Sequence, residues 1–169
     1  MVLLDACFII GLRDCGKTHL LLEVAQRLSW NMYIPKAAYE ECIAKKDDQI
    51  LCKMISEGTI IICESPPDIF SKYRNRYSSL GDGEIDALAF ALSPERKGGN
   101  PIMMVTSDKR TIRVAKDLNV KTITTLDFFK YVYQLGLMTK EEMYRFAPTL
   151  KENMWLSDKV LGDFLKGIS

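Results

Sequence analysis

Five short apolar runs, Val2–Leu4, Met32–Ile34, Thr59–Cys63, Ile102–Thr106 and Thr122–Thr124, are rich in branched side chains and separated by stretches with mostly helical spacing. That alternation confines the chain to a β/α plan. Leu20, Leu21, Val24 and Leu28 fall at i, i+1, i+4 and i+8, and Ile85, Leu88, Ala89 and Leu92 repeat the pattern later. Each set predicts a helix with one apolar face. Short, continuously apolar strands joined by helices imply a mostly parallel sheet covered on both sides, a three-layer α/β/α sandwich. In such folds ligands gather at the carboxyl ends of the strands.

A length of 169 residues with 47% hydrophobic and 27% charged side chains fits one ordinary globular domain. Residues 1–135 read as its core and 136–169 as a helical extension. In the extension Thr139 to Glu142 is a capping-box pattern, and Ser157 precedes an apolar stripe of Val160, Leu161, Phe164, Leu165 and Ile168. Such a stripe packs on the parent core or on a second subunit, and the core is preferred. Ser65-Pro66-Pro67, Gly81–Gly83 and Lys97-Gly98-Gly99-Asn100-Pro101 punctuate the chain without marking a long linker.

Lys plus Arg (23) against Asp plus Glu (22) leaves a net charge of +1, so a polyanion must be met by a local patch rather than a global field. Five cysteines with no C-x-x-C spacing and a single histidine, His19, disfavour a zinc site. Neither a secretory leader nor an apolar run near the roughly 20 residues of a membrane span is evident. The expectation is a cytoplasmic protein with reduced, mostly buried thiols.

Asp5 and Asp108 each lie where a predicted strand gives out, so both face the ligand crevice. Glu41 follows Pro35 by six residues, on the helix after the second strand, and Asp86 lies near the start of the helix opened by Gly81-Asp82-Gly83-Glu84. Four carboxylates from distant segments can thus converge. Converging anions need a cation, and an all-oxygen set without histidine or thiolate suits Mg²⁺ or Mn²⁺. The plainer reading is that these acids cap helices, Asp108 above all. Asp82 shares a helical face with Asp86, whereas Glu84 points away from it.

Gly11-Leu12-Arg13-Asp14-Cys15-Gly16-Lys17-Thr18 satisfies G-x-x-x-x-G-K-[ST] and precedes a helix. A phosphate loop would use its backbone N–H groups, with Lys17 on the phosphates and Thr18 on Mg²⁺. Such a loop wants its strand to run unbroken to Gly11, which would bury Asp5 in mid-strand at a high desolvation cost. The preferred reading ends the strand at Asp5 and makes the string a helix–turn–helix junction.

Four pieces in order, Val2-Leu3-Leu4-Asp5-Ala6-Cys7-Phe8-Ile9-Ile10, Ile34-Pro35-Lys36-Ala37-Ala38-Tyr39-Glu40-Glu41, Leu80-Gly81-Asp82-Gly83-Glu84-Ile85-Asp86-Ala87-Leu88-Ala89 and Val105-Thr106-Ser107-Asp108-Lys109-Arg110, resemble the PIN domain family, particularly small prokaryotic VapC-type toxins. The resemblance covers about residues 1–135. It implies a metal-dependent ribonuclease with catalytic, metal-binding acids at Asp5, Glu41, Asp86 and Asp108, with Glu84 a further candidate ligand. It also implies an antitoxin partner and a homodimer. Cys7 departs from the small hydroxyl or amide residue usual two positions after the first acid.

Two basic stretches are candidates for meeting RNA. Lys72, Arg74 and Arg76 interleave with Tyr73 and Tyr77, and Lys109, Arg110 and Arg113 flank Asp108. For the first, a solvated helix face with inward tyrosines is an equal reading. Three functions follow: a Mg²⁺-dependent RNase, a nucleotide-binding phosphotransferase using Gly11–Thr18, and a catalytically silent module that binds RNA or protein.

Overall fold

Side by side, the apolar runs form one sheet in the order β3-β2-β1-β4-β5, every pairing parallel. The computed structural model describes residues 1–45, 49–94, 102–153 and 156–168, and the punctuation expected at 97–101 lies outside them. The strands are β1 (Val2–Leu4), β2 (Met32–Pro35), β3 (Ile60–Cys63), β4 (Met103–Val105) and β5 (Lys121–Ile123). They sit within two residues of the five apolar runs. Between β1 and β2 lie α1 (Ala6–Asp14) and α2 (His19–Leu28); between β2 and β3, α3 (Lys36–Lys45) and α4 (Gln49–Ser56). Helices α5 (Pro67–Arg76) and α6 (Asp82–Ala91) precede β4, and α7 (Lys109–Asp117) precedes β5. The chain closes with α8 (Thr125–Gln134), α9 (Lys140–Asn153) and α10 (Asp158–Lys166).

Successive strand side chains point to opposite faces, and each face needs its own cover. Val2 and Leu4 join one buried cluster with residues of α1, α2, α4 and α8–α10, while Leu3 joins a second with residues of α6 and α7. This is the three-layer sandwich that continuous apolar strands demand. Both tail caps form: Thr139 and Glu142 exchange backbone-to-side-chain bonds at 2.7 and 3.2 Å, and Ser157 Oγ accepts the Val160 N–H at 3.3 Å. Leu161, Phe164 and Ile168 are buried in the first cluster, so three of the stripe's members pack on the parent core; Val160 is exposed.

The thiols depart from expectation. None of the five is in a disulfide, but only Cys42 and Cys63 are buried; Cys15 and Cys52 are half-buried and Cys7 is exposed. Cys7 lies in the first turn of α1, where it lines a surface cleft rather than the core. Among the described residues no helix is long and apolar enough to cross a membrane.

Candidate active site

The strand order reverses between β1 and β4, and a parallel sheet opens a ligand crevice at the carboxyl ends of such a pair. Asp5 follows β1 at once. Its backbone N–H donates to the Val105 carbonyl at 3.2 Å, tying it to the end of β4. Asp5 stands at the N-cap of α1 yet makes no side-chain capping bond. Instead Thr106 Oγ1 donates to Asp5 Oδ2 at 2.9 Å, and the same oxygen accepts the Asp108 N–H at 3.2 Å. One buried hydroxyl therefore couples the two strand-end acids.

Helices α3 and α6 bring in the other acids. A Cβ on Gly83 would lie 3.2 Å from Ala38 Cα, so the missing side chain is what lets these helices approach so closely. Their approach places Glu41 and Glu84 in a cleft of about 470 Å³ with Asp5, Cys7, Glu40 and Arg110. Glu84 Oε2 accepts the Gly81 N–H at 2.8 Å, which fixes it in the first turn of α6. Burial raises the Asp5 pKa to about 7; the Thr106 bond opposes the rise, and the charges of Glu84 and Glu41 add to it.

The remaining acids are differently employed. Asp86 is buried, and its Oδ1 accepts both the backbone N–H, at 2.9 Å, and the hydroxyl of Ser65. It lines an adjoining pocket rather than the cleft. Asp108 caps α7, its Oδ1 accepting from Arg110 N at 2.9 Å, Thr111 N at 2.8 Å and Thr111 Oγ1 at 3.1 Å. Burial would raise its pKa, but these bonds and the Arg110 charge hold it below the usual carboxylate range. The capping role foreseen for Asp108 is thus real, and it coexists with the link to Asp5.

The four-way meeting of Asp5, Glu41, Asp86 and Asp108 is not what the side chains form. Asp5, Glu41 and Glu84 share the cleft, and among the described residues no three His, Cys, Asp or Glu side chains stand together closely enough to hold an ion as they are placed. The chemistry of the cleft donors nonetheless fits a hard divalent cation: they are carboxylate oxygens, and the buried one is left partly protonated near neutral pH by burial and its neighbours' charge. Thr106 and Ser65 are the site residues that sequence reasoning missed. The signal for Thr106 was a hydroxyl between the end of an apolar run and an acid two positions on.

The DUF3368 family model, a PIN domain, matches residues 1–169. This chain belongs to the PIN domain family. No curated protein matches it. PIN domains are in general nucleases that use divalent metals. The Walker-like string of this PIN domain takes no part in its sheet. Strand β1 stops at Leu4, Gly11–Asp14 belong to α1, and α2 begins at His19. Gly16 turns the chain at φ +66°, and the N–H groups of Cys15, Gly16 and Lys17 donate to Gly11, Arg13 and Leu12 carbonyls at 3.1, 2.8 and 2.8 Å. The amides a phosphate loop would offer are already engaged, and Lys17 Nζ sits 5.3 Å from the centre of the Phe146 ring. The string is a helix–turn–helix junction.

The two basic stretches differ in the same way. Tyr73 on α5 and Tyr77 at its C-terminal cap stack at 6.2 Å and pack beside the second core cluster. Arg74 is held by the Leu80 carbonyl and by Asp82 Oδ1 at 3.2 Å. On α7, Lys109, Arg110 and Arg113 are exposed, and Arg110 lines the acidic cleft.

Proposed function

We propose that this PIN domain is a Mg²⁺- or Mn²⁺-dependent endoribonuclease, the toxin half of a cytoplasmic toxin–antitoxin pair. The observation that carries the reading is the buried Asp5 carboxylate at the strand-order reversal, in one cleft with Glu41 and Glu84 and with a cationic rim at Arg110. Asp5, Glu41 and Glu84 are the residues that would hold the ion, with Asp108 at the edge. Held there, a divalent ion would supply an acidified water and charge neutralisation for hydrolysis of a phosphodiester. Asp5 must give up its proton to take part, which Thr106 promotes by donating to the ionised form. Arg110 draws a phosphate into a cleft that its carboxylates alone would repel. The homodimer and the antitoxin are proposed on resemblance alone.

Mg²⁺-dependent cleavage of single-stranded RNA without added nucleotide, lost in Asp5→Asn and kept in Lys17→Ala, is the expected result. Activity that needs a nucleoside triphosphate and disappears in Lys17→Ala overturns it. A catalytically silent RNA-binding module is the second reading, favoured by the lack of a ready three-ligand cluster among the described residues. RNA binding without cleavage under any divalent ion selects that reading.

A further inference from the structure

Beside the acidic cleft, along the same carboxyl edge of the sheet, lies a second pocket of about 370 Å³. Lys36 opens α3 directly after β2, Glu64 and Ser65 follow β3, and Phe70 comes from α5. The pocket and the cleft share Ala37, Glu40 and Asp82 as a common wall. Parallel strands lie about 4.8 Å apart, so two strand spacings, about 10 Å, separate the β2–β3 edge from the β1–β4 crevice. That is the reach of a single nucleotide from its phosphate to its base.

The lining excludes one half of a nucleotide and suits the other. Glu40, Glu64, Asp82 and Asp86 repel a phosphate. An uncharged base is not repelled. Phe70, half-buried and packed beside the second core cluster, offers a ring on which an unstacked base can lie. Lys36 Nζ and Glu64 Oε1 stand 3.4 Å apart, with side chains half or more exposed. An ion pair that open to water contributes little to the fold, which leaves both groups available to a ligand. Side by side they offer a cationic donor and a two-oxygen acceptor. The Watson–Crick edge of guanine presents the complement, O6 as acceptor beside two adjacent donors, N1 and N2, that a two-oxygen carboxylate takes together, whereas adenine and cytosine bring one exocyclic amine and uracil a single N3 donor between two carbonyls.

We infer that this pocket receives a guanine base next to the scissile phosphate, with Lys36 and Glu64 as specificity-determining residues and Phe70 as the stacking platform. The inference rests on the ribonuclease reading. The test maps cut sites in a random-sequence single-stranded RNA treated with the full chain and Mg²⁺ or Mn²⁺, in parallel for wild type, Glu64→Gln, Lys36→Met and Phe70→Leu. Wild type should show guanine enriched about tenfold or more at one fixed position beside the cut, as a bidentate contact affords. In Glu64→Gln and Lys36→Met that ratio should collapse toward one. Phe70→Leu keeps apolar volume under the pocket and should weaken turnover for all bases. Cleavage with no base preference, with a preference for another base, or with a guanine preference unchanged in Glu64→Gln overturns the pocket assignment and leaves the nuclease reading standing. No cleavage of any RNA under either ion overturns both.

Discussion

Thr106 donates its hydroxyl hydrogen to Asp5 at 2.9 Å across 101 positions of sequence, and it is fully buried in doing so. The bond stabilises the ionised carboxylate against the burial that pushes its pKa up. Removing the donor leaves a buried acceptor unsatisfied, at about 1–3 kcal/mol. Thr106→Val should therefore melt lower than wild type and shift the acidic limb of the pH–rate profile to higher pH, while Thr106→Ser preserves both. An unmoved acidic limb in Thr106→Val would show that the bond does not govern Asp5.

The Asp5 carboxyl also sets a pH window for stability. Its folded pKa is about 7, against about 3.9 in an unfolded chain. A raised folded pKa means the native state binds the proton more tightly. Stability is then full below about pH 4, falls as pH rises through the interval, and levels off above the folded value. The loss is on the order of a few kcal/mol. Asp108 and Asp127, whose pKa values are held low, act in the opposite sense and only in acid, so neither produces a decline across pH 5–7. Thermal melts in chelator should decline across that range for wild type and stay level for Asp5→Asn, which keeps an acceptor for Thr106. Added Mn²⁺ should restore the wild type at pH 7. An equal decline in both proteins removes Asp5 as the cause.

The strand ends were legible because a charge cannot continue a buried apolar run: Asp5 stops β1 after Leu4, and α1 can then begin at Ala6. The same reasoning turned Gly11–Thr18 from a phosphate loop into a helix junction. The phase of α6 was not legible. Helical spacing pairs Asp82 with Asp86 and sets Glu84 apart, but it does not say which face meets β1. That is decided by the Gly83–Ala38 contact and by Ser65 gripping Asp86, both made by residues distant in sequence. Thr106 was hidden for the same reason, since its partner lies at the other end of the chain. Cys7 reads as a core thiol in a composition argument, yet its place in the first turn of α1 turns it to the cleft.

That helix contact is itself open to test. In Gly83→Ala the new Cβ meets Ala38 Cα at 3.2 Å and its Cβ and N at 3.3 Å, so α3 must give way. Overpacking of this kind costs about 1–3 kcal/mol, more than the helix propensity that alanine gains. At Gly162 in α10 a Cβ would meet nothing within 4 Å, so Gly162→Ala should instead stabilise by up to about 1 kcal/mol. The expected pattern is a lower melting temperature and reduced nuclease turnover for the first variant only, because Glu41 and Glu84 ride on the displaced helices. Equal melting temperatures would mean that the α3–α6 approach is not tight.

Of the two basic stretches, α7 should dominate RNA attraction. Arg74 is tied to Leu80 and Asp82, and Lys72 and Arg76 lie 5.9 and 5.4 Å from the Tyr73 and Tyr77 ring centres. Lys109, Arg110 and Arg113 lie exposed on the helix that Asp108 caps, and Arg110 lines the cleft. Each phosphate contact on a single strand contributes about 0.7 to the slope of log K against log salt. Arg110→Glu with Arg113→Glu should lower that slope by about 1–1.5 in RNA binding measured with the Asp5→Asn protein, whereas Lys72→Glu with Arg76→Glu should change it by less than about half as much. The reverse order would move the RNA path from α7 to α5.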